Sequence, residues 1–98
     1  MTEKVIQCQS LDEVRENIDR IDDEIIKLIA ERKQYVIQAS AFKKNTDEIK
    51  APNRVEAVIA KVRQKAELYG ADPDMVEVLY REMISRFVNM ETKAFLNS

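Results

Sequence analysis

Apolar residues recur every three or four positions along three segments of this chain, the spacing of one face of an α-helix. The first segment runs from about Leu11 to about Lys44 without glycine or proline, and Ser10 with Glu13 has the form of an N-terminal capping box. Its apolar positions form a heptad seam: Leu11, Val14, Ile18, Ile21, Ile25, Leu28, Tyr35, Ala39 and Phe42. The pattern therefore predicts a single helix roughly 50 Å long.

Two further helices are predicted after a polar loop at residues 45–50. Pro52 suits the first turn of a helix because its missing N–H would have no partner there, and Gly70 is typical of a C-cap. Asp72, followed by a proline, repeats the start signal for a third helix that runs to about Leu96. One glycine and two prolines among 98 residues favour long helices over β-structure.

The predicted fold is therefore all-α, with three helices in a single domain over residues 1–98 and an extension at 1–9 ahead of the first helix. The first helix is far longer than either of the others, so helices two and three can cover only part of its seam. The remainder of a long apolar seam is normally buried against a second chain. The pattern thus predicts a dimer.

Composition and charge narrow the possible functions. The 16 basic and 18 acidic residues are interspersed and give a net charge of −2, which argues against a nucleic-acid partner. There is no histidine, and Cys8 is alone, so histidine-based nucleophile systems, histidine zinc sites and cysteine metal sites are excluded. No apolar run approaches about 20 residues, so we expect no signal peptide, no membrane span and a cytoplasmic protein.

Candidate binding residues are the basic groups on the first helix. Arg32 occupies a seam position, where it is either an interior ion pair that fixes register or a bidentate clamp for a carboxylate. Lys43 lies about three turns further on, roughly 16 Å away along one helix, a separation that would bracket a ligand with one six-membered ring. The alternative for Lys43 is a solvated surface lysine.

Arg15 lies beside the same seam, roughly 40 Å from Lys43 on one straight helix. It cannot share a small site with Lys43 of its own chain, but an antiparallel partner could bring it there. The alternative is a surface arginine that pairs with Asp12 or Asp19 one turn away.

Glu91 interrupts an apolar stripe on the third helix that also contains Ile84, Val88 and Phe95. One interpretation is a carboxylate at the rim of the core, paired with lysine or arginine. The other is a carboxyl that burial keeps protonated, so that it can donate a hydrogen bond.

Residues 14–22 and 29–33 resemble the opening helix of the all-helical chorismate mutase family, with the spacing R-x-x-I-D-x-I-D followed by A-E-R. Phe42-Lys43, the junction at residues 51–55 and the C-terminal helix continue the resemblance, which covers roughly residues 10 to 96. It implies an intertwined homodimer with two composite active sites and no metal or cofactor. The substrate would be a small dicarboxylate, either chorismate or isochorismate.

The resemblance also implies a role for each site residue. Arg32, with Arg15 of the partner subunit, would grip the substrate carboxylates. Lys43 and Glu91 would donate to the ether oxygen whose bond to carbon breaks, and Arg54 and Val55 would complete the substrate-binding set: Arg15, Arg32, Lys43, Arg54, Val55 and Glu91. The reaction is pericyclic and needs no nucleophile, which suits a chain without histidine.

The second helix departs from the common mutase pattern, in which two carboxylates hold the ring hydroxyl of chorismate. Ala51 and Val55 occupy those positions, and both are apolar. An isochorismate-pyruvate lyase, from a sister branch of the family, would not need the carboxylates. The expectation is a chorismate mutase that makes prephenate, with the lyase as the alternative and a non-enzymatic dimeric adaptor as a third reading.

Overall fold

The computed structural model describes residues 5–97, which are mainly helical and contain no β-strand. Its elements, in chain order, are α1 (Leu11–Ala39), a 3-10 turn (Ser40–Phe42), α2 (Thr46–Lys50), α3 (Pro52–Tyr69) and α4 (Pro73–Leu96). The predicted all-α class, with one helix longer than the others, is confirmed. Residues 1–4 of the predicted N-terminal extension lie outside the described residues.

Helix α1 begins as predicted but ends early. The hydroxyl oxygen of Ser10 accepts a hydrogen bond from the backbone N–H of Glu13 at 3.1 Å, which caps the first turn. The predicted end near residue 44 is wrong, because the helix gives way to the 3-10 turn and Lys43 is extended, with φ −94° and ψ 144°. The Ser40 hydroxyl donates to the carbonyl of Ile37 at 2.7 Å, and the backbone carbonyl of Ser40 accepts from the N–H of Lys43 at 3.3 Å. Lys43 therefore does not continue the helical register of Arg32.

The predicted polar loop at 45–50 is also wrong, because most of it forms the short helix α2. The side chain of Asn45 accepts from the N–H of Glu48 at 3.0 Å, and the Glu48 carboxylate accepts from the N–H of Lys44 at 2.7 Å. This reciprocal cap satisfies two backbone donors. Ile49 is then buried, so one apolar side chain anchors an otherwise polar segment.

The connection between α3 and α4 follows the predicted signals. Gly70 adopts the left-handed conformation, with φ 80° and ψ 22°, and the N–H of Ala71 donates to the carbonyl of Ala66 at 2.7 Å. The carboxylate of Asp72 then accepts from the N–H of Asp74 at 2.9 Å and caps α4. The predicted ends of both helices at this turn are confirmed.

The chain divides into two compact units, one up to Tyr35 and one from Val36 onward. In the second unit α2, α3 and the 3-10 turn all contact α4, and the buried residues are Ile49, Ile59, Ala66, Phe87 and Glu91. None of the residues of α1, all of which the structure describes, is buried. None of the described helices is both long and apolar enough to cross a membrane.

Candidate active site

Lys43 and Glu91 meet within the second unit. The Nζ of Lys43 lies 3.0 Å from Oε2 of Glu91, so the ammonium donates to the carboxyl. The Glu91 side chain is only 6% exposed and that of Lys43 is 26% exposed. Two residues separated by nearly half the chain, both selected from the sequence as site candidates, are thus joined directly. The structure has a feature of each interpretation of Glu91, since the residue is buried and is also paired with a lysine.

Each partner is held by a different kind of local structure. Lys43 is extended immediately after the 3-10 turn, whereas Glu91 projects from a helix whose neighbouring stripe residues Ile84, Val88 and Phe95 are half-buried. An ammonium has three donors, so the bond to Glu91 leaves two that can reach a ligand oxygen. Lys43 can therefore donate hydrogen bonds to an anionic oxygen at the edge of an apolar surface.

The start of α3 carries the next pair of candidates. Ala51, the joint between α2 and α3, adopts the left-handed conformation with φ 34° and ψ 64°, a strained state for a residue with a Cβ. Its carbonyl accepts from the N–H of Val55 at 3.0 Å, which closes the first turn of α3. Val55 is half-buried and Arg54 is exposed.

Val55 faces a depression of about 230 Å³ between the start of α3 and helix α4. Three apolar side chains and four polar ones line it: Lys50, Val55, Arg81, Ile84, Ser85, Val88 and Asn89. Ile84 and Val88 belong to the stripe that Glu91 interrupts. The structure therefore places Val55 beside the same face of α4 that carries the catalytic candidate Glu91.

The two arginines of α1 belong to the first unit, and their role as a carboxylate clamp stays a prediction. Arg32 is half-buried, whereas Arg15 is exposed. Among the described residues, Arg15 forms neither of the ion pairs with Asp12 or Asp19 that a surface role predicted. Other charges of α1 do form such pairs, Arg20 with Glu24 at 3.7 Å for example.

The sequence interpretation missed a network of ion pairs that links α3 to α4. Arg81 binds both Glu56 and Glu77, and Arg63 binds both Glu77 and Asp74. The spacing of Glu77 and Arg81 was a readable signal, since residues four apart on a helix are neighbours. The pairing of Arg81 with Glu56 depends on how the two helices pack, which periodicity alone does not specify.

The sequence profile of the chorismate mutase type II family matches residues 14–92. An isochorismate pyruvate lyase of Pseudomonas aeruginosa is 37% identical over 86 residues, which cover 88% of this chain and 85% of that enzyme.

Two longer proteins are similar over nearly the same region. A bifunctional chorismate mutase/prephenate dehydratase of Aquifex aeolicus is 33% identical over 89 residues, which are 87% of this chain but 25% of that protein. A T-protein of Enterobacter agglomerans is 31% identical over 84 residues, 84% of this chain and 22% of that protein. The family profile covers most of the chain and one relative matches nearly end to end, so the chain belongs to the chorismate mutase type II family.

Proposed function

We propose that this chain is an isochorismate-pyruvate lyase, which releases salicylate and pyruvate from isochorismate in one pericyclic step. The observation that carries the proposal is the apolar start of α3, where Ala51 and Val55 stand at the positions that hold the ring hydroxyl of chorismate in mutases. Sequence reasoning alone placed the mutase first. The similarity to the P. aeruginosa lyase along most of both chains supports placing the lyase first.

The proposed reaction asks the protein for position and charge, not for a nucleophile. The ether bond between the ring and the enolpyruvyl oxygen breaks while hydrogen moves from the hydroxyl-bearing ring carbon to the enolpyruvyl methylene carbon. The ring becomes aromatic as salicylate, and the side chain leaves as pyruvate. All atoms come from the substrate, so the site has to hold the folded conformer and stabilise charge on the ether oxygen.

The Lys43–Glu91 pair supports this assignment of roles. In the proposal Lys43 turns one of its remaining donors to the ether oxygen, and a protonated Glu91 donates to the same atom. Arg54 binds the substrate from the start of α3, and Val55 packs against the ring of the substrate. Two guanidinium groups, from Arg32 and from Arg15 of the partner subunit, hold the carboxylates bidentately.

The homodimer belongs to the same proposal. Ile18, Ile25 and Leu28 of the α1 seam are 50%, 47% and 62% exposed in the single chain. Apolar residues repeated at heptad spacing on one helix favour a helical partner. A second copy of α1 supplies that partner and, in the same arrangement, brings in the second arginine.

Chorismate mutase is the second candidate, favoured by the family profile and by the mutase named in the A. aeolicus relative. Both reactions proceed from a conformer with the enolpyruvyl group folded over the ring. We therefore expect some mutase activity even if the lyase is the main one.

Separate incubations with isochorismate and chorismate test the proposal. We expect salicylate and pyruvate in equal amounts from isochorismate, with a kcat/KM above that for prephenate formation from chorismate. A higher kcat/KM for chorismate would assign the chain as a mutase. If the protein turns over neither compound and a bicyclic transition-state analogue does not bind in calorimetry, the chain is a non-enzymatic dimeric adaptor.

The start of α3 offers a sharper version of the same test. Val55→Glu restores a carboxylate at one of the two positions where mutases carry them. We expect this variant to lose kcat/KM for isochorismate and to gain relative preference for chorismate, while Val58→Glu, at a half-buried position one turn further along α3, serves as the matched control. If Val55→Glu keeps the wild-type preference between isochorismate and chorismate, the apolar residue at position 55 does not determine which substrate is preferred.

A further inference from the structure

Five charged side chains form a continuous network between α3 and α4. The two terminal nitrogens of Arg81 donate to the two carboxylate oxygens of Glu56 at 2.8 and 2.9 Å, and its Nε donates to Glu77 at 2.7 Å. The other oxygen of Glu77 accepts from Arg63 at 2.8 Å, and Arg63 also donates to Asp74 at 3.0 Å. Charges of opposite sign therefore alternate from the start of α3 to the first turns of α4.

These charged side chains form ion pairs with one another. Hydrogen bonds from Arg81 lower the pKa of Glu56 and, together with those from Arg63, the pKa of Glu77. The carboxylates of Glu56 and Glu77 in turn raise the pKa of Arg81. All three nitrogens of Arg81 are directed at carboxylates, so this guanidinium is placed to join two helices and not to bind an anionic ligand.

The network joins α4 to the beginning of α3. Glu56 directly follows Val55, and both come one turn after the strained joint at Ala51. Arg81 also lines the depression that contains Val55, beside Ile84 of the α4 stripe. The bidentate bond between Arg81 and Glu56 therefore ties the start of α3 to the α4 face that forms one wall of that depression.

We propose that Arg81 and Glu56 are positioning residues for the substrate site. They set where Arg54 and Val55 lie relative to the face of α4 that carries Glu91. This inference rests on the proposed function, because it assigns Arg54 and Val55 to substrate binding. Exposed ion pairs contribute little to the free energy of unfolding, so the network acts mainly on binding geometry.

The measurement is a split between KM and kcat, using the substrate that the wild type turns over faster. Arg81→Gln and Glu56→Gln should each raise KM by about tenfold, since small misplacements of binding groups are costly. The kcat should change by less than about twofold, because Lys43 and Glu91 lie on other segments. A role in stability alone would lower the active fraction, and so the apparent kcat, without changing KM.

The chain supplies a matched control within α4. Arg86 donates to Glu82 at 2.9 Å, the same residue types in the same kind of bond, but both lie on one helix. Arg86→Gln should leave KM unchanged, because the bond that it removes does not connect two helices. Arg81→Lys keeps the charge but not the fork that reaches both oxygens of Glu56, so its KM should fall between those of wild type and Arg81→Gln.

Three outcomes would overturn the inference. Unchanged KM in both glutamine variants removes the positioning role, and an equal rise of KM in Arg86→Gln reduces it to a general effect of surface charge. If Arg81→Gln fails to fold by circular dichroism, Glu56→Gln alone decides, since in that variant Arg81 keeps its bond to Glu77. A wild type inactive on both substrates would instead fail the proposed function first, and this inference with it.

Discussion

Helix α1 and the α3–α4 hairpin have similar amphipathic sequences but bury their apolar faces differently. Ile59 and Ala66 of α3 and Phe87 of α4 are buried within the chain. On α1, by contrast, Ile21 and Ile25 remain 44% and 47% exposed. The hairpin thus has an interior of its own, whereas the seam of α1 has none within the single chain.

The ion pairs differ in the same way. Those of α1 that the structure describes, such as Lys27 with Asp23 at 3.1 Å, join residues one turn apart on the same helix. In the hairpin, Arg81 joins α4 to α3 through Glu56. Pairs within one helix support that helix alone, whereas pairs between helices fix how two helices pack. The hairpin therefore combines buried apolar residues with ion pairs that join two helices, and under the proposed homodimer α1 is expected to bury its seam against a second chain.

The largest effect should come from a charge placed in the α1 seam. Ile25→Glu would bury an unpaired carboxylate if the seam is the dimer interface, so we expect loss of the dimer and of turnover together. Sedimentation should report about twice the 11.4 kDa chain mass for the wild type and a single chain for the variant. Gln34→Glu, exposed and off the seam, is the control and should stay dimeric. If the wild type is monomeric and active at micromolar concentration, α1 does not need a second chain.

The next effect concerns the arginine in that seam. Arg32→Ala should lower kcat/KM by at least about a hundredfold, because loss of one partner of a buried charge pair costs roughly 3–5 kcal/mol. Circular dichroism should show the helical content of the wild type. Lys33→Ala removes an exposed charge at the next position and should be nearly silent. Retained activity in Arg32→Ala would reassign this arginine to a structural ion pair.

A smaller effect is expected at Glu91. Glu91→Gln keeps nearly the same shape and carries an N–H that can donate to the ether oxygen, so it should retain most of the wild-type kcat/KM at neutral pH. Glu91→Ala removes both that donor position and the partner of Lys43, and should lower kcat/KM more strongly. Equal losses in the two variants would exclude the donor role and leave Glu91 as the ion-pair partner of Lys43.

The smallest effect is on the acid stability of the hairpin. Hydrogen bonds from Arg81 lower the pKa of Glu56 and Glu77 in the folded chain, so the stability they add is present above the unfolded pKa of about 4.3. It is lost as pH falls through the folded values. The melting temperature of the wild type should therefore drop more steeply below about pH 5 than that of Arg81→Gln. Arg86→Gln should retain the steep decline, and equal slopes for wild type and Arg81→Gln would remove the network from acid stability.

Sequence periodicity predicted the helices well wherever a local signal marks their ends. Ser10, Gly70 and Asp72 act through bonds to backbone groups within a few residues, so their effects can be read from spacing. The end of α1 was misplaced because its apolar rhythm continues to Phe42 although the helical bonds stop at Ala39. The sequence contains the capping signal of α2 at Asn45, but the polar composition of the segment led to the prediction of a loop.

The candidate site shows the same limit. Glu91 could be predicted as buried because it interrupts an apolar stripe on one helix. A pair with some lysine or arginine was one of the two interpretations, but Lys43 could not be named as that partner, since the direct bond depends on where the extended segment after α1 leads. The bond between Arg81 and Glu56 was missed for a related reason. Contacts between elements depend on packing angles, which a one-dimensional pattern does not contain.

In the proposed dimer one catalytic site uses arginines from two chains, and mixing two inactive variants tests this arrangement most directly. Arg15→Ala and Arg32→Ala each disable both sites of a homodimer, but a mixed dimer contains one site with both arginines. We predict that activity returns as subunits exchange, up to half of the wild-type value for each mixed dimer. If exchange is demonstrated by mass and no activity returns, the two arginines do not come from different chains and the composite site is wrong.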